Sequence, residues 1–101
     1  AIEFADHTFS LDDFLKATPV REGKLRRCDP MTFQWSDRFA SLSTLGLILF
    51  RDLESMQAKD SKRPPQNMVS ADDMLEVKKE DDNIVVLRSR DHVIHRLEVL
   101  E

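Results

Sequence analysis

Tyrosine is absent from this chain of 101 residues, glycine occurs only twice, and cysteine and tryptophan occur once each. With Cys28 as the single thiol, no intramolecular disulfide can form, so a disulfide-stapled secreted scaffold is excluded. Gly23 and Gly46 alone cannot make a glycine-rich loop that cradles phosphates. No apolar run approaches membrane-spanning length, and the longest, Leu45 to Phe50, has the length of a buried strand. Positive charge is also short. Lys and Arg number 15 against 19 Asp and Glu, a net charge of −4. That balance disfavours sequence-independent nucleic-acid binding and bulk attraction to anionic lipid, while leaving room for a local basic patch. The N-terminus, Ala1-Ile2-Glu3-Phe4, has neither the basic region nor the apolar core of a signal peptide. It also lacks an initiator Met, and the expectation is a fragment of a larger, soluble, cytoplasmic protein.

At 41% hydrophobic and 34% charged residues, the composition is that of one globular domain with a modest core. The largest core side chains are expected to be Phe14, Trp35, Phe39 and Phe50. Residues 1–20 read as a lead-in. Ser10 caps a short helix with Asp12 and Asp13 in its first turn, Leu11, Phe14 and Leu15 form its apolar stripe, and Pro19 ends it. Two turns of helix do not stand alone, so this one must dock.

From Val20 the pattern is that of strands: Val20–Cys28, Phe33–Ser41, Leu45–Arg51, Met74–Lys79, Asn83–Arg88 and Val93–Leu100. Asp29-Pro30, Ser43-Thr44, Glu80–Asn83 and Ser89–His92 supply the turns. Residues 52–73 contain Pro64-Pro65, which cannot lie inside a central strand. They read as a long loop with one helical turn near Leu53–Ala58. The expected fold is mainly β, with about six to seven strands.

Three of these segments resemble the opening strands of a pleckstrin homology (PH) domain. They are Glu22-Gly23-Lys24-Leu25, then Trp35-x-x-Arg38-Phe39-x-x-Leu42, then the apolar Leu45–Phe50. The resemblance covers residues 21–101 and implies an antiparallel barrel or curved sandwich, preceded here by the short helix. It also implies a C-terminal helix that closes one open end. The chain stops at Glu101, so the expectation is that this helix either has been cut away or is supplied by another segment or chain, and without it apolar surface is expected to be exposed.

The resemblance implies a non-catalytic binding module of a signalling, cytoskeletal or trafficking protein. The first expectation is docking to a protein partner or another domain of the same protein, with Leu11, Phe14 and Leu15 as docking candidates. The alternative is recruitment to phosphoinositide or other anionic membranes, which would make the host a peripheral membrane protein. Lys24, Arg26, Arg27 and Arg38 are the headgroup candidates, because phosphate needs clustered charge-assisted donors. Ser36 and Asp37 stand where the family places a further base and its neighbour, and residues 29–34 contain no basic residue. A second basic patch is Lys59, Lys62 and Arg63. A third alternative is a regulatory domain flanking a guanine-nucleotide exchange or GTPase-activating domain.

Other chemistry finds little support. His92 and His95, at a turn and in the following strand, point by their odd spacing to opposite faces and lack the further ligands zinc needs, so no metal site is assigned and His95 is expected in the core beside Val93 and Leu97. Cys28 has no adjacent base, and no Ser/His/Asp arrangement is apparent. No enzyme activity and no cofactor are expected. Glu80-Asp81-Asp82 lacks the alternating acids and the glycine of a calcium loop and reads as a solvated hairpin tip.

Overall fold

A computed structural model describes residues 10–60 and 62–100. Alternation of apolar and polar residues, together with four short turns, builds seven antiparallel strands. They are β1 (Arg21–Cys28), β2 (Trp35–Ser43), β3 (Gly46–Phe50), β4 (Asn67–Ser70), β5 (Met74–Lys79), β6 (Ile84–Ser89) and β7 (Ile94–Val99). All belong to one sheet in the order β4-β3-β2-β1-β7-β6-β5. β4 and β5 occupy its opposite edges, yet only the single 3₁₀ turn Ala71–Asp73 separates them in sequence. The sheet must therefore curl until its edges approach, which makes the half-barrel of a PH-like fold. Backbone N–H of Arg90 donates to Asp73 O at 2.7 Å and the Arg90 guanidinium to Asp72 O at 3.0 Å, tying that corner to the β6–β7 turn.

Two short helices complete the chain: α1 (Leu11–Lys16) and α2 (Leu53–Ala58). Ser10 and Asp13 form a reciprocal capping box at α1, and Asp52 caps α2 by accepting from Ser55 N at 2.7 Å. Both helices pack on the outside of the curl. The inner core holds Ala40, Leu47, Leu49, Val69, Leu87 and Leu97, with Leu25 and Met74 beside it. The second core holds Phe14, Leu15, Ile48, Phe50 and Met56, flanked by Leu11, Phe39 and Leu45. β3 thus divides its side chains between two cores, and every one of its residues is buried. This is why Leu45–Phe50 reads as continuously apolar rather than alternating.

Sequence and structure differ in two places. Residues 52–73 are not all loop: Asn67–Ser70 form β4, which pairs with β3. Only Val69 of this edge strand is buried, so it leaves no periodic signal. The second strand begins at Trp35 rather than Phe33, and Trp35 is 36% exposed instead of buried. Alternation from Ala40, which faces the inner core, puts Phe39, Asp37 and Trp35 on the outer face. The second core reaches Phe39 but leaves Trp35 open.

Gly46 opens β3 at φ 149°, a conformation that side-chain-bearing residues rarely adopt, and a Cβ there would lie 2.2 Å from Val69 O. Glycine at this position lets β4 close on β3.

Candidate functional site

The antiparallel register gathers the β1–β2, β3–β4 and β6–β7 connections at one end of the curl. β1 supplies most of the basic candidates, and its alternation divides them. Leu25 faces the inner core, so Arg27 also points inward, while Lys24 and Arg26 point outward. The outward pair is neutralised: Lys24 lies 3.5 Å from Asp37, and Arg26 is 2.8 Å from Glu98. Lys24 also stands 6.0 Å above the Phe39 ring. Arg96–Glu80 and Arg88–Glu76 continue this ladder of exposed pairs. The four headgroup candidates therefore do not form one cluster.

The structure does bring Arg27 and Arg38 together on the inner face. Arg27 pairs with Ser36 and Leu25 with Arg38, so the two arginines are diagonal neighbours across β1 and β2. Arg27 is buried and directs Nε and Nη2 toward Nδ1 of buried His95, each at 3.3 Å. A guanidinium only donates, so Nδ1 accepts and the His95 proton resides on Nε2. Burial lowers the pKa of Arg27; the charge of Asp29 opposes that shift and the charge of Arg38 adds to it. Burial first, and then the charge of Arg27, lower the pKa of His95, with Asp91 opposing.

Arg38 donates from Nη1 to its neighbour's carbonyl, Asp37 O, at 2.7 Å, while its buried Nε has no partner among the described residues. Neither Arg27 nor Arg38 forms an ion pair within the described residues. Asp29 acts on both from a distance, its carboxylate being engaged by Met31 N at 2.7 Å and Thr32 N at 3.1 Å. Those two hydrogen bonds hold its pKa below the ordinary carboxylate value. Arg51, just beyond β3 at the same end, also forms no ion pair among the described residues. With the Gln66 amide oxygen turned toward it, Arg51 donates to Gln66 from Nε and Nη2, each at 2.9 Å. Sequence reading passed over Arg51; its parity with the inward-facing Leu47 and Leu49 was the available signal.

The other candidates are dispersed. Lys59 pairs with Glu22 at 2.9 Å and Arg63 with Glu54 at 2.7 Å, while Lys62 forms no ion pair among the described residues. Phe14 and Leu15 are buried against the outer face of β3, and Leu11 packs beside them, so these apolar residues lie inside the domain's own second core. His92 is exposed at a left-handed turn, φ 69°, while His95 is buried on the face of Leu97, the arrangement the spacing predicts. An open cavity of about 370 Å³ lies between β4 and the β6–β7 turn, with Val69, Ser89, Arg90, Asp91 and His95 among its lining residues.

Solved structures share this architecture. The Slm1 PH domain in complex with phosphoserine superposes with a TM-score of 0.65 at 16% identity, over 82% of this chain and 81% of that one. The same domain with inositol-4-phosphate gives 0.65 at 17% identity, over 81% and 82%. The PH domain of human oxysterol binding protein-related protein 11 gives 0.60 at 15% identity, over 80% of this chain and 66% of that one. At these identities the likeness shows the fold, and the chain has a PH-like fold. No family model and no curated relative matches its sequence.

Proposed function

We propose that this domain is a binding module whose inner mouth takes a phosphate-bearing headgroup at a membrane surface. The observation that carries this reading is the adjacency of Arg27 and Arg38, two guanidinium groups that form no ion pair among the described residues. Adjacent, partly desolvated like charges repel, and a bound phosphate relieves both the repulsion and the missing hydrogen bonds. Arg51, beyond β3, adds a third guanidinium whose hydrogen bonds go to the Gln66 amide. The Slm1 PH domain, crystallised with inositol-4-phosphate and with phosphoserine, supports the reading as a precedent for phosphorylated ligands on this fold.

The test is titration with soluble inositol-4-phosphate followed by amide NMR shifts. Arg38→Gln should abolish the shifts around β1 and β2 while Lys24→Ala and Arg26→Ala leave them intact. If Arg38→Gln binds like the parent protein, the mouth is not the site.

A second reading, docking to a protein or a neighbouring domain, is favoured by the opposite end of the curl. There Leu42 (41% exposed) and Val77 (59% exposed) share the inner face with half-buried Leu25, Val85 and Val99. Open apolar surface of this kind associates. The double change Leu42→Lys, Val77→Lys should abolish concentration-dependent self-association in sedimentation, and persistence of that association would remove the support.

A further inference from the structure

β5 is an edge of the sheet: β6 lies along one side of it, and no described strand pairs with the other. An open row of backbone N–H and C=O groups invites another strand, and natural edges are blunted by shortness, cover or charge. β5 has six residues, and from Val77 to Lys79 all are exposed, Val77 at 59%. Its blunting devices are Lys78 and Lys79, so only a strand that matches their charge can add to it.

The direction of the backbone groups follows from the bonds that flank the β5–β6 hairpin. Glu80 N donates to Ile84 O at 2.8 Å, across to β6, and Ser89 N donates to Val93 O at 3.0 Å, away from β5. Alternate residues of an antiparallel strand direct both backbone groups to the same side. Glu76 and Lys78 therefore bond to Arg88 and Val86, their partners in register, and Val77 and Lys79 turn their N–H and C=O to the open edge.

A residue with both groups on the open edge can sit on a two-fold axis and exchange both hydrogen bonds with its own copy. Centred on Val77, such pairing sets Val77 against the partner's Val77 on the inner face. On the outer face it sets Glu76 against the partner's Lys78, and Lys78 against the partner's Glu76. Neighbouring registers fail. A shift of one residue opposes Glu76 to Glu76 or Lys78 to Lys78, and a shift of two toward the hairpin opposes Lys79 to Lys79. The irregularity between Met74 and Glu76 interrupts the ladder in the other direction. Within one copy Glu76 lies 3.4 Å from Lys78 and 3.6 Å from Arg88, so the pairing joins two clusters of unlike charge.

We infer that β5 pairs with β5 of a second copy of this chain, antiparallel about Val77, to make one continuous sheet. This gives a geometry to the self-association expected of the open inner face and rests on that association. An edge of six residues buries less than the roughly 1,200 Å² of a stable interface, so the dimer is weak and forms at high protein concentration.

Sedimentation over a wide concentration range measures the dimer, and amide exchange locates it. Protection should rise with concentration at Val77 and Lys79 and stay constant at Glu76 and Lys78, which are already bonded to β6. Glu76→Lys and Lys78→Glu should each weaken self-association on the order of tenfold, by setting like charges opposite one another. An equimolar mixture of the two variants should restore it, because each copy then supplies the charge the other lacks. Restoration on mixing cannot come from a variant that fails to fold, and thermal melts of each variant confirm this separately. If the parent protein associates but the mixture associates no better than either variant alone, edge pairing is overturned and the apolar reading stands. Concentration-independent sedimentation of the parent protein overturns both.

Discussion

Arg27 and His95 meet inside the curled sheet, with Nε and Nη2 of the arginine each 3.3 Å from Nδ1 of the histidine. The contact joins β1 to β7 and requires a neutral imidazole, because a protonated one has no acceptor and would face a second cation.

Stability should therefore fall on mild acidification. Burial first, and then the charge of Arg27, lower the His95 pKa in the folded state from its ordinary 6.5. The unfolded chain then binds the proton first as pH falls through about 6.5, so folding free energy declines from there down to the folded-state pKa. Urea denaturation between about pH 7.5 and 5 should show this slope, and His95→Gln should flatten it. The aspartates held low by hydrogen bonds, Asp29, Asp52 and Asp91, act in a lower window: their contribution is present above the unfolded carboxylate pKa and is lost below it.

Aromatic truncations should separate sharply. Phe50 is fully buried between α1, α2 and the sheet, and Phe50→Ala is expected to cost about 3–5 kcal/mol. Trp35 is one-third exposed, and Trp35→Ala should cost about 1 kcal/mol or less. Equal losses in chemical denaturation would mean that Trp35 is covered in solution.

Gly46→Ala should cost more than about 2 kcal/mol, since the new Cβ meets Val69 O and the backbone cannot relax to negative φ without parting β3 from β4. Gly23→Ala, with open space around its Cβ, should lie within about 0.5 kcal/mol of the parent protein. The comparison needs only thermal melts of the two variants.

Breaking the exposed ion pair with Arg26→Ala should change stability by about 0.5 kcal/mol at most, because both partners are solvated and screened. A larger loss, removed by added salt, would show that the outer-face charges act as a network.

The fold was legible where one face of a strand is buried. Val93–Leu100 alternates as written, and β7 follows with His95 and Leu97 inward and Ile94 outward. The opening motif of Glu22, Gly23, Trp35, Arg38 and Phe39 likewise marked β1 and β2. What stayed hidden depended on tertiary partners. Nothing local shows that Ile48 and Phe50 would meet helices while Leu47 and Leu49 meet the barrel interior. The run Lys24, Arg26, Arg27 looks like one basic patch in sequence, but period-two alternation sends its members to opposite faces, and carboxylates on β2 and β7 neutralise the outward ones. The partnering of Arg27 by His95, 68 residues away, depends on the register of β1 with β7, which no local pattern encodes.

The double burial of β3 sets the limits of the cooperative unit. Its amides are shielded on one side by the half-barrel and on the other by α1 and α2, so they should exchange with solvent slowest, through global unfolding. A fragment starting at Arg21 would keep all seven strands yet uncover Ile48 and Phe50. The helix that looks like a lead-in is thus part of the core of the sheet it covers, and the cooperative unit includes it from its Ser10 cap.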